Sequence, residues 1–324
     1  MNIREIAQIS GFSASTVSRV IAGKHDNIVI SRKTKNKILR VCKKYGYVPS
    51  IHASRFFSKC AKTIGITTPL APGLDDDNLA QFMNAAYFEL DKNDYRLIPL
   101  LKNKKFLEGQ GYLNVFNRQE IDALIIWGIE GTGEWVDDLH SRKLPFILAS
   151  NRMNDYPAVI TDDRLGIFSL VEHCKSKGAK KFMFVSCPSC ENTERRKEGF
   201  SQAVTGFENK IIHTDAFDVS SGKKAVAEIM KYKPEAVICG NDKVAIGVLF
   251  GLRDYGVKVP DDMLITGADN IEMSEYCPVP LTTFDQRAYD CGTECIKIIM
   301  KHLKDGKPME TKVLKPAILI RESA

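Results

Sequence analysis

The stretch "SASTVSRVIAG", which begins at residue 13, is rich in short polar side chains and contains one arginine. Arg19 offers a fork of N–H groups that matches the major-groove edge of guanine, and the methyl group of Ala14 can touch thymine. The hydroxyls of Ser13, Ser15 and Thr16 can bond to phosphates or base edges. The chemistry that these residue types indicate is contact with a nucleic acid.

The other reactive residues do not indicate catalysis. Cys187 and Cys190 could be a redox pair or half of a zinc site, but no second CxxC or HxxxH completes such a site. We interpret the nine cysteines as reduced thiols. The histidines stand apart, and the sequence contains no GxGxxG, GxxxxGK[ST] or GxSxG motif. We therefore expect no cofactor, no metal and no enzyme activity.

Positive charge is concentrated at the amino end of the chain. Residues 1–62 contain 13 Lys and Arg against two acidic residues, for +11, and the other 33 basic and 38 acidic residues give −5. A basic block with helical patterning is typical of a folded nucleic-acid-binding module. Because the apolar runs are far shorter than a membrane span, we expect a cytoplasmic protein.

Three short helices are predicted in this basic segment. Asn2 and Glu5 form a capping box for the first helix, and Gly11 ends it. Ser13 can cap the second helix and Ser31 the third. A helix, a tight glycine turn and a second helix, supported by a third, predict a helix-turn-helix unit.

The second helix has one apolar face, since Val17, Val20 and Ile21 follow the i, i+3, i+4 spacing. Small residues on the opposite face allow close approach to a major groove. The alternative is an amphipathic helix with no role in DNA binding. We predict DNA contacts from Ser13, Ala14, Ser15, Thr16, Ser18, Arg19 and Ser31.

Beyond residue 62, apolar runs alternate with amphipathic stretches, as in parallel sheets covered by helices. The runs "TIGITTPL", "YRLIPLL", "DALIIWG" and "PFILAS" predict the buried strands of one unit. The runs "AVIT", "KKFMFVS", "KIIHTDAF", "EAVICG" and "MLITGAD" predict those of a second. Two such doubly wound α/β units leave a cleft at the carboxyl ends of their strands, where small ligands bind.

Several segments of the chain occur together, and in this order, in one family of bacterial regulators. They are "IREIAQISGFSASTVSRVIAG", "YGYVPSIHASRF", "ICGNDKVAIGVLFGLRDYGVKVPDD", "ITGADN", "PLTTFDQ" and "LIRESA". Through these six segments the chain resembles the lactose-repressor (LacI/GalR) family.

The resemblance implies three parts in the chain. They are a helix-turn-helix headpiece at 1–49, a hinge helix and linker at 50–61, and an effector-binding and dimerisation domain at 62–324, similar to periplasmic sugar-binding proteins. The last part would divide into an N-subdomain, about 62–158 plus 289–320, and a C-subdomain, about 159–288.

The resemblance also implies DNA contacts beyond the second helix. Ala53 and Phe56 match hinge positions that enter the minor groove, and Phe56 stands where leucine is usual. The resemblance implies that Phe56 inserts as an apolar wedge between base steps. The alternative is that Phe56 packs the headpiece against the rest of the chain. Ala22 stands where an asparagine that contacts the DNA backbone is common.

In the cleft, the resemblance implies contacts to a polar effector from Asn151, Asn192, Arg196, Phe217, Asn241 and Asp269. A carboxylate accepts hydroxyls, a guanidinium donates a fork of hydrogen bonds, and an aromatic ring offers a flat face to a sugar. Local roles are the alternatives, since Asp269 or Asn241 could cap a helix and Arg196 could pair with Glu194 or Glu198. The stretch 70–82 lacks an aromatic pair found in purine-binding relatives, which disfavours a nucleobase.

The sequence thus predicts a homodimeric transcriptional repressor that binds a roughly palindromic operator in double-stranded DNA and responds to a small, sugar-like effector. An exported solute-binding protein and a doubly wound enzyme are the alternatives. The basic headpiece and the lack of a signal peptide and of catalytic motifs disfavour both.

Overall fold

The computed structural model describes residues 1–22, 30–47, 60–69, 76–129 and 133–324. Its amino-terminal part forms the three predicted helices, α1 (Ile3–Ser10), α2 (Ala14–Ala22) and α3 (Arg32–Lys44). The capping box of α1 is confirmed, because the Asn2 side chain accepts the N–H of Glu5 and the Glu5 side chain accepts the N–H of Asn2. Gly11 ends α1 at φ 74°, a left-handed conformation that glycine adopts without strain.

A small apolar core joins the three helices. Ile6 of α1, Val17 and Val20 of α2, and Ile38 of α3 are each at most 3% exposed. The cap predicted for α3 is also confirmed, since Ser31 Oγ accepts the N–H of Thr34 at 3.1 Å. The apolar contacts among Ile6, Val17, Val20 and Ile38 hold the three helices together and leave the polar side of α2 outside the core.

The first sheet of the body is parallel and has six strands among the described residues, in the order β11-β5-β4-β3-β1-β2. The strands are β1 (Thr63–Thr68), β2 (Arg96–Leu101), β3 (Ala123–Trp127), β4 (Phe146–Ala149), β5 (Ala158–Thr161) and β11 (Lys312–Leu314). The helices of this part are α4 (Asp77–Asp91), α5 (Lys104–Leu107), α6 (Gly111–Asn117), α7 (Glu134–Ser141) and α13 (Ala288–Asp305).

The second sheet is parallel, in the order β7-β6-β8-β9. Its strands are β6 (Lys181–Ser186), β7 (Glu208–His213), β8 (Ala236–Cys239) and β9 (Leu264–Thr266). Its helices are α8 (Asp163–Ser176), α9 (Glu191–Ala203), α10 (Val219–Tyr232), α11 (Asp242–Asp254) and α12 (Met273–Tyr276). A short antiparallel pair, β10 (Thr283–Asp285) with β12 (Ala317–Leu319), completes this part.

The structure confirms the predicted fold class but corrects the assignment of three segments. The run "AVIT" is β5 and pairs with β4 of the first sheet, so it does not belong to the second. The carboxyl end, predicted to return to the first sheet, contributes β11 to that sheet, but β12 pairs with β10 and Ala324 lies in the core of the second sheet. Buried parallel strands have the same composition in either sheet, so apolar runs alone do not assign them.

The third correction concerns "YRLIPLL", which was predicted to be one of the buried strands of the first unit. It forms β2 at the edge of the first sheet, where Arg96 is exposed and Leu101 is 46% exposed. An edge strand has a sheet neighbour on one side only, and apolar residues at its margins reach the surface.

Candidate functional site

A cavity of about 350 Å³ lies between the carboxyl ends of the two sheets. Its wall includes residues that follow β1, β2, β3 and β4 of the first sheet, and residues that follow β6, β7, β8 and β9 of the second. Parallel strands bring their carboxyl ends together at one edge, which is where ligands of such folds bind. The volume is at the lower end of the range for small-molecule sites.

All six residues predicted to contact an effector line this cavity: Asn151, Asn192, Arg196, Phe217, Asn241 and Asp269. They come from loops and helix starts on both sides of the cleft, up to 118 residues apart in sequence, the distance from 151 to 269. Their assembly follows from the two-sheet architecture. Contact with an effector remains a prediction for each of them.

Arg196, on α9, is the centre of a buried charge network. Its Nε donates to Asp163 Oδ1 at 2.7 Å, and its Nη2 donates to Asp269 Oδ1 at 2.8 Å. Its Nη1 donates to the backbone oxygen of Gly240 at 2.5 Å. The Arg196 side chain is only 6% exposed. Its ionic partners are therefore these two carboxylates and not the acidic residues of its own helix.

Burial perturbs the protonation of this network. It raises the pKa of Asp269 to about 6, against the opposing effect of the Arg196 charge. Burial also raises the pKa of Asp163, which Arg196 again opposes. Burial lowers the pKa of Arg196, but the two carboxylates raise it by more, so the guanidinium stays charged. With both carboxylates ionised the network has a net charge of −1, which favours a ligand that donates hydrogen bonds.

Asn241 caps α11 and also lines the cavity. Its Oδ1 accepts the N–H of Val244 at 2.8 Å, and its Nδ2 donates to the backbone oxygen of Phe217 at 3.1 Å. Asn241 therefore caps a helix, which was the local alternative to an effector contact, and its amide keeps a second N–H. The Phe217 residue is 45% exposed and lines the cavity, so its ring is open to a ligand.

Direct hydrogen bonds cross the cleft. Asn151, which follows β4, donates from Nδ2 to Asn192 Oδ1 on α9 at 2.7 Å. Asn192 Nδ2 in turn donates to Ser150 Oγ at 3.3 Å. The N–H of Arg152 donates to Glu191 Oε2 at 3.3 Å. These contacts join the first sheet's loops to the first turn of a helix that packs on the second.

Two lysines of the cavity wall were missed from the sequence. Lys102 is 2% exposed, and its Nζ donates to the backbone oxygens of Trp127 at 3.1 Å and Gly128 at 2.8 Å. Lys243, in the first turn of α11, lies 3.6 Å from Asp77 of α4, an ion pair across the cleft. Lys102 directly follows a predicted strand, so the rule that ligands bind at strand ends could have found it.

Two polar partners of Asp269 and Arg196 were also missed. Gln286 donates from Nε2 to Asp269 Oδ1, and it lies in "PLTTFDQ", one of the segments that carry the family resemblance. Asp163 lies 33 residues from Arg196 in sequence, and its contact depends on the packing of α8 beside α9. No local sequence signal distinguishes this aspartate from a surface one.

The polar face of α2 is the candidate nucleic-acid interface. Ser13, Ser15 and Arg19 are exposed, and Ala14 and Thr16 are half-buried. Ser13 Oγ lies 2.9 Å from Ser15 Oγ and 2.8 Å from Thr16 Oγ1, so the hydroxyls form one connected group. Ser31, at the start of α3, is exposed as well.

The prediction that Ser18 lies on this exposed face is wrong. Ser18 is 8% exposed. At 100° per residue, position 18 falls beside Ala14 and Ile21, on the margin of the buried face, whereas Arg19 falls on the opposite side. The hinge residues Ala53 and Phe56 lie outside the residues that the structure describes.

Two parts of the chain match known protein families. Residues 2–50 match the bacterial regulatory proteins of the lacI family, and residues 171–324 match a periplasmic binding protein-like domain. Catabolite control protein A of Priestia megaterium is 28% identical and aligns with 94% of this chain and 92% of its own length. The chain belongs to the LacI family.

Solved structures agree with this assignment. A lac repressor dimer bound to operator and the anti-inducer ONPF superposes with a TM-score of 0.86 at 19% identity, over 100% of this chain and 98% of the repressor, which supports the fold. A LacI-family regulator of Enterococcus faecalis V583 with bound ribose is 27% identical, with a TM-score of 0.70 over 81% of this chain and 98% of its own.

LacI-family membership makes this chain a DNA-binding transcriptional regulator with an effector-binding domain. Among the described residues, none of the helices has the length and apolar character needed to cross a membrane. In the same residues, no three potential ligands of the His, Cys, Asp and Glu types gather as a metal site would require.

Proposed function

We propose that this LacI-family regulator is a homodimeric repressor whose binding to a roughly palindromic operator is controlled by a small, neutral, sugar-like effector. The effector binds in the cleft between the two sheets, and the polar face of α2 reads the operator. The two sites lie on different parts of the chain, so effector and operator are coupled through the equilibrium between cleft arrangements.

The observation that carries the effector proposal is the buried pair of Arg196 and Asp269 on the cavity wall. Asp269 Oδ1 accepts from both Arg196 and Gln286, while Oδ2 accepts no hydrogen bond from the described residues. Arg196 uses one N–H of each terminal nitrogen and keeps the other. A vicinal diol can donate to Asp269 Oδ2 and accept from Arg196 at the same time. The exposed ring of Phe217 adds a flat apolar surface suited to a sugar ring.

Charge on the wall supports a neutral effector. The lining includes three carboxylates, Asp76, Asp77 and Asp269, and three cations, from Lys102, Arg196 and Lys243. The charges that line the wall balance, and the buried Asp163 behind Arg196 adds one negative charge, so an anionic ligand would meet no excess of positive charge. The ribose bound to the Enterococcus faecalis regulator is a neutral ligand, and at 27% identity it supports a sugar for this chain as well.

The DNA proposal rests on the exposed face of α2. Arg19 and Ser15 are exposed, whereas Ala14, at the start of the helix, is half-buried and packs against the headpiece core. In this arrangement Arg19 reads guanine, and Ser13, Ser15, Thr16 and Ser31 bond to phosphates or base edges. Two headpieces related by two-fold symmetry would read two half-sites, as expected for a homodimer on a palindrome.

Thermal denaturation of the full chain with a panel of neutral sugars, their phosphates and free nucleobases tests the effector proposal. A ligand at 100 times its Kd should add about 2.7 kcal/mol to the free energy of unfolding. We expect a neutral sugar to raise Tm in the wild type and not in Asp269→Ala. Stabilisation by a nucleobase or a sugar phosphate alone, or equal stabilisation of both proteins, contradicts the proposal.

A further inference from the structure

Asp242 is a buried carboxyl group that the proposed site does not use. It is the first residue of α11, directly after the cap Asn241, and is 0% exposed. It does not line the cavity, and no described basic side chain forms an ion pair with it. Burial of a carboxyl group without a cation costs free energy unless hydrogen bonds satisfy both of its oxygens.

The side-chain hydrogen bonds of Asp242, and that of its backbone N–H, are with the loop that carries Asp269 or with the strand beside that loop. Asp242 Oδ2 accepts the N–H of Ile271 at 2.9 Å, and the N–H of Asp242 donates to the backbone oxygen of Ala268 at 2.7 Å. Asp242 Oδ1 accepts from Thr283 Oγ1 of β10 at 2.6 Å. Both carboxyl oxygens are therefore engaged, one by the loop and one by the strand.

The loop, residues 267–271, has a conformation that needs such support. Asp269 has φ 116° and Asn270 has φ 54°, both in the left-handed region that residues with a side chain adopt at a cost. The N–H of Asp269 donates to the backbone oxygen of Phe284 at 2.9 Å, which ties the loop to β10. Asp242 ties the same loop to α11 from the other side.

Gly267 lets the loop lie against Asp242. A Cβ atom added at Gly267 would be 2.2 Å from Asp242 Oδ1 and 2.7 Å from a methyl group of Leu281. Such distances are well inside van der Waals contact, so any side chain at 267 would push the loop and the carboxyl group apart. The place of the Asp242 carboxyl group against the loop therefore requires glycine at 267.

We propose that Asp242 is the positioning residue of the effector cleft: its buried carboxyl group holds the loop 267–271 so that Asp269 meets Arg196 and the effector. The proposal rests on the proposed function for its ligand, but the positioning itself is a property of the chain alone. Asp242 acts through Asp269 and touches no effector.

Two variants at position 242 distinguish the loss of the charge from the loss of the hydrogen bonds. Asparagine removes only the charge, and alanine removes both. An asparagine can accept the Ile271 N–H through Oδ1 and donate from Nδ2 to Thr283, whose hydroxyl accepts as well as donates. Alanine leaves both groups without a partner. We therefore expect Asp242→Asn to keep the loop in place and Asp242→Ala to release it.

Glu235→Ala is the matched control. The Glu235 carboxylate also accepts backbone N–H groups, those of Lys180 at 2.5 Å and Lys181 at 3.2 Å, but it is exposed. It precedes β8 and so lies at the amino end of the second sheet, away from the cavity. Loss of this carboxylate removes a similar kind of hydrogen bond from the same subdomain without touching the loop.

Hydrogen exchange of the full-length protein, followed by mass spectrometry, tests the positioning without a ligand. In Asp242→Ala we expect exchange across 267–271 to accelerate about tenfold, since one unmade buried hydrogen bond changes a local opening equilibrium by that order. Asp242→Asn should stay within about threefold of the wild type, because its hydrogen bonds are restored. Glu235→Ala should change exchange only around residues 180–182. Unchanged loop exchange in Asp242→Ala, or equal acceleration in both position-242 variants, overturns the proposal.

Calorimetry with D-ribose as the probe tests the consequence for the cleft. The Kd should rise about tenfold or more in Asp242→Ala, stay near the wild-type value in Asp242→Asn, and be unchanged in Glu235→Ala. Ribose binding that is equal in Asp242→Ala and wild type overturns the proposal. If ribose does not bind the wild type, the sugar assignment loses its support, while the exchange experiment still decides the role of Asp242.

Discussion

Asn151 and Asn192 form a hydrogen bond of 2.7 Å that spans the effector cleft. One residue follows a strand of the first sheet, and the other lies in the first turn of a helix on the second. Both were predicted to be effector contacts, and both line the cavity. Their mutual hydrogen bond gives them a further role, since it ties the two sides of the cleft to each other.

A double-mutant cycle on this pair measures that role. Asn151→Ala and Asn192→Ala should each reduce the free energy of unfolding by about 0.5–1.5 kcal/mol, the usual range for one hydrogen bond. The double variant should lose less than the sum, because the second substitution removes a bond that is already broken. Urea denaturation of the four proteins provides the energies. Effects that add to within about 0.3 kcal/mol would mean that the two side chains do not stabilise each other.

Much of the fold is encoded locally and could be predicted for that reason. The capping box of Asn2 and Glu5 and the cap at Ser31 depend on residues three apart, and the structure has both. The position of the cleft follows from strand order, because polar residues after successive parallel strands meet at one edge. The six effector residues that the resemblance to the LacI/GalR family implied line the cavity at this edge.

The features that could not be predicted depend on contacts between distant segments. The strand β5 has the same apolar composition as its neighbours in either sheet, so only its pairing with β4 assigns it. Asp163 becomes a partner of Arg196 because α8 packs beside α9. Ser18 lies at the margin of the apolar face of α2, and only the packing of the three helices decides that this margin is buried.

Loss of the Arg196 charge should destabilise the protein strongly. Arg196→Ala leaves Asp163 and Asp269 buried without their cation, and breaking a buried ion pair in this way costs about 3–5 kcal/mol. The neighbouring Arg195 is the matched control, since its side chain is 23% exposed and its nearest carboxylate oxygens lie at 3.5 and 3.7 Å. Arg195→Ala should cost no more than about 1 kcal/mol. Equal losses of unfolding free energy in urea would contradict the buried network.

Two adjacent residues of α2 should differ sharply in their effect on DNA binding. Arg19→Ala should weaken binding to an operator selected from random DNA by about 1–3 kcal/mol and relax the preference at one base position. Ser18→Ala should leave the base preference unchanged, because Ser18 is buried. Fluorescence anisotropy with operators mutated one base at a time measures both. A change of base preference in Ser18→Ala, or none in Arg19→Ala, would show that another face of the headpiece reads the DNA.

The stability of the protein should fall with rising pH because of Asp242. Burial raises the pKa of Asp242 to about 7, and the nearby Asp269 charge raises it as well, while Thr283, the Ile271 N–H and Arg196 oppose the rise. The folded protein therefore favours the protonated form. Its stabilising effect is complete below the ordinary pKa of 3.8 and is lost as the pH rises through about 7.

Asp242→Asn isolates this effect, since an amide does not ionise. The charged and titratable groups near Asp242 are Asp269, Arg196 and the buried thiols of Cys239 and Cys277, and all of them are present in both proteins. We expect the variant to gain stability relative to the wild type as the pH rises from about 4 to about 7, because over that range Asp242 is ionised in the unfolded wild type but still protonated in the folded protein. Urea midpoints measured across this range test the expectation. A difference between the two proteins that is independent of pH would show that Asp242 is ionised throughout, with its charge compensated by the helix terminus and its two hydrogen bonds.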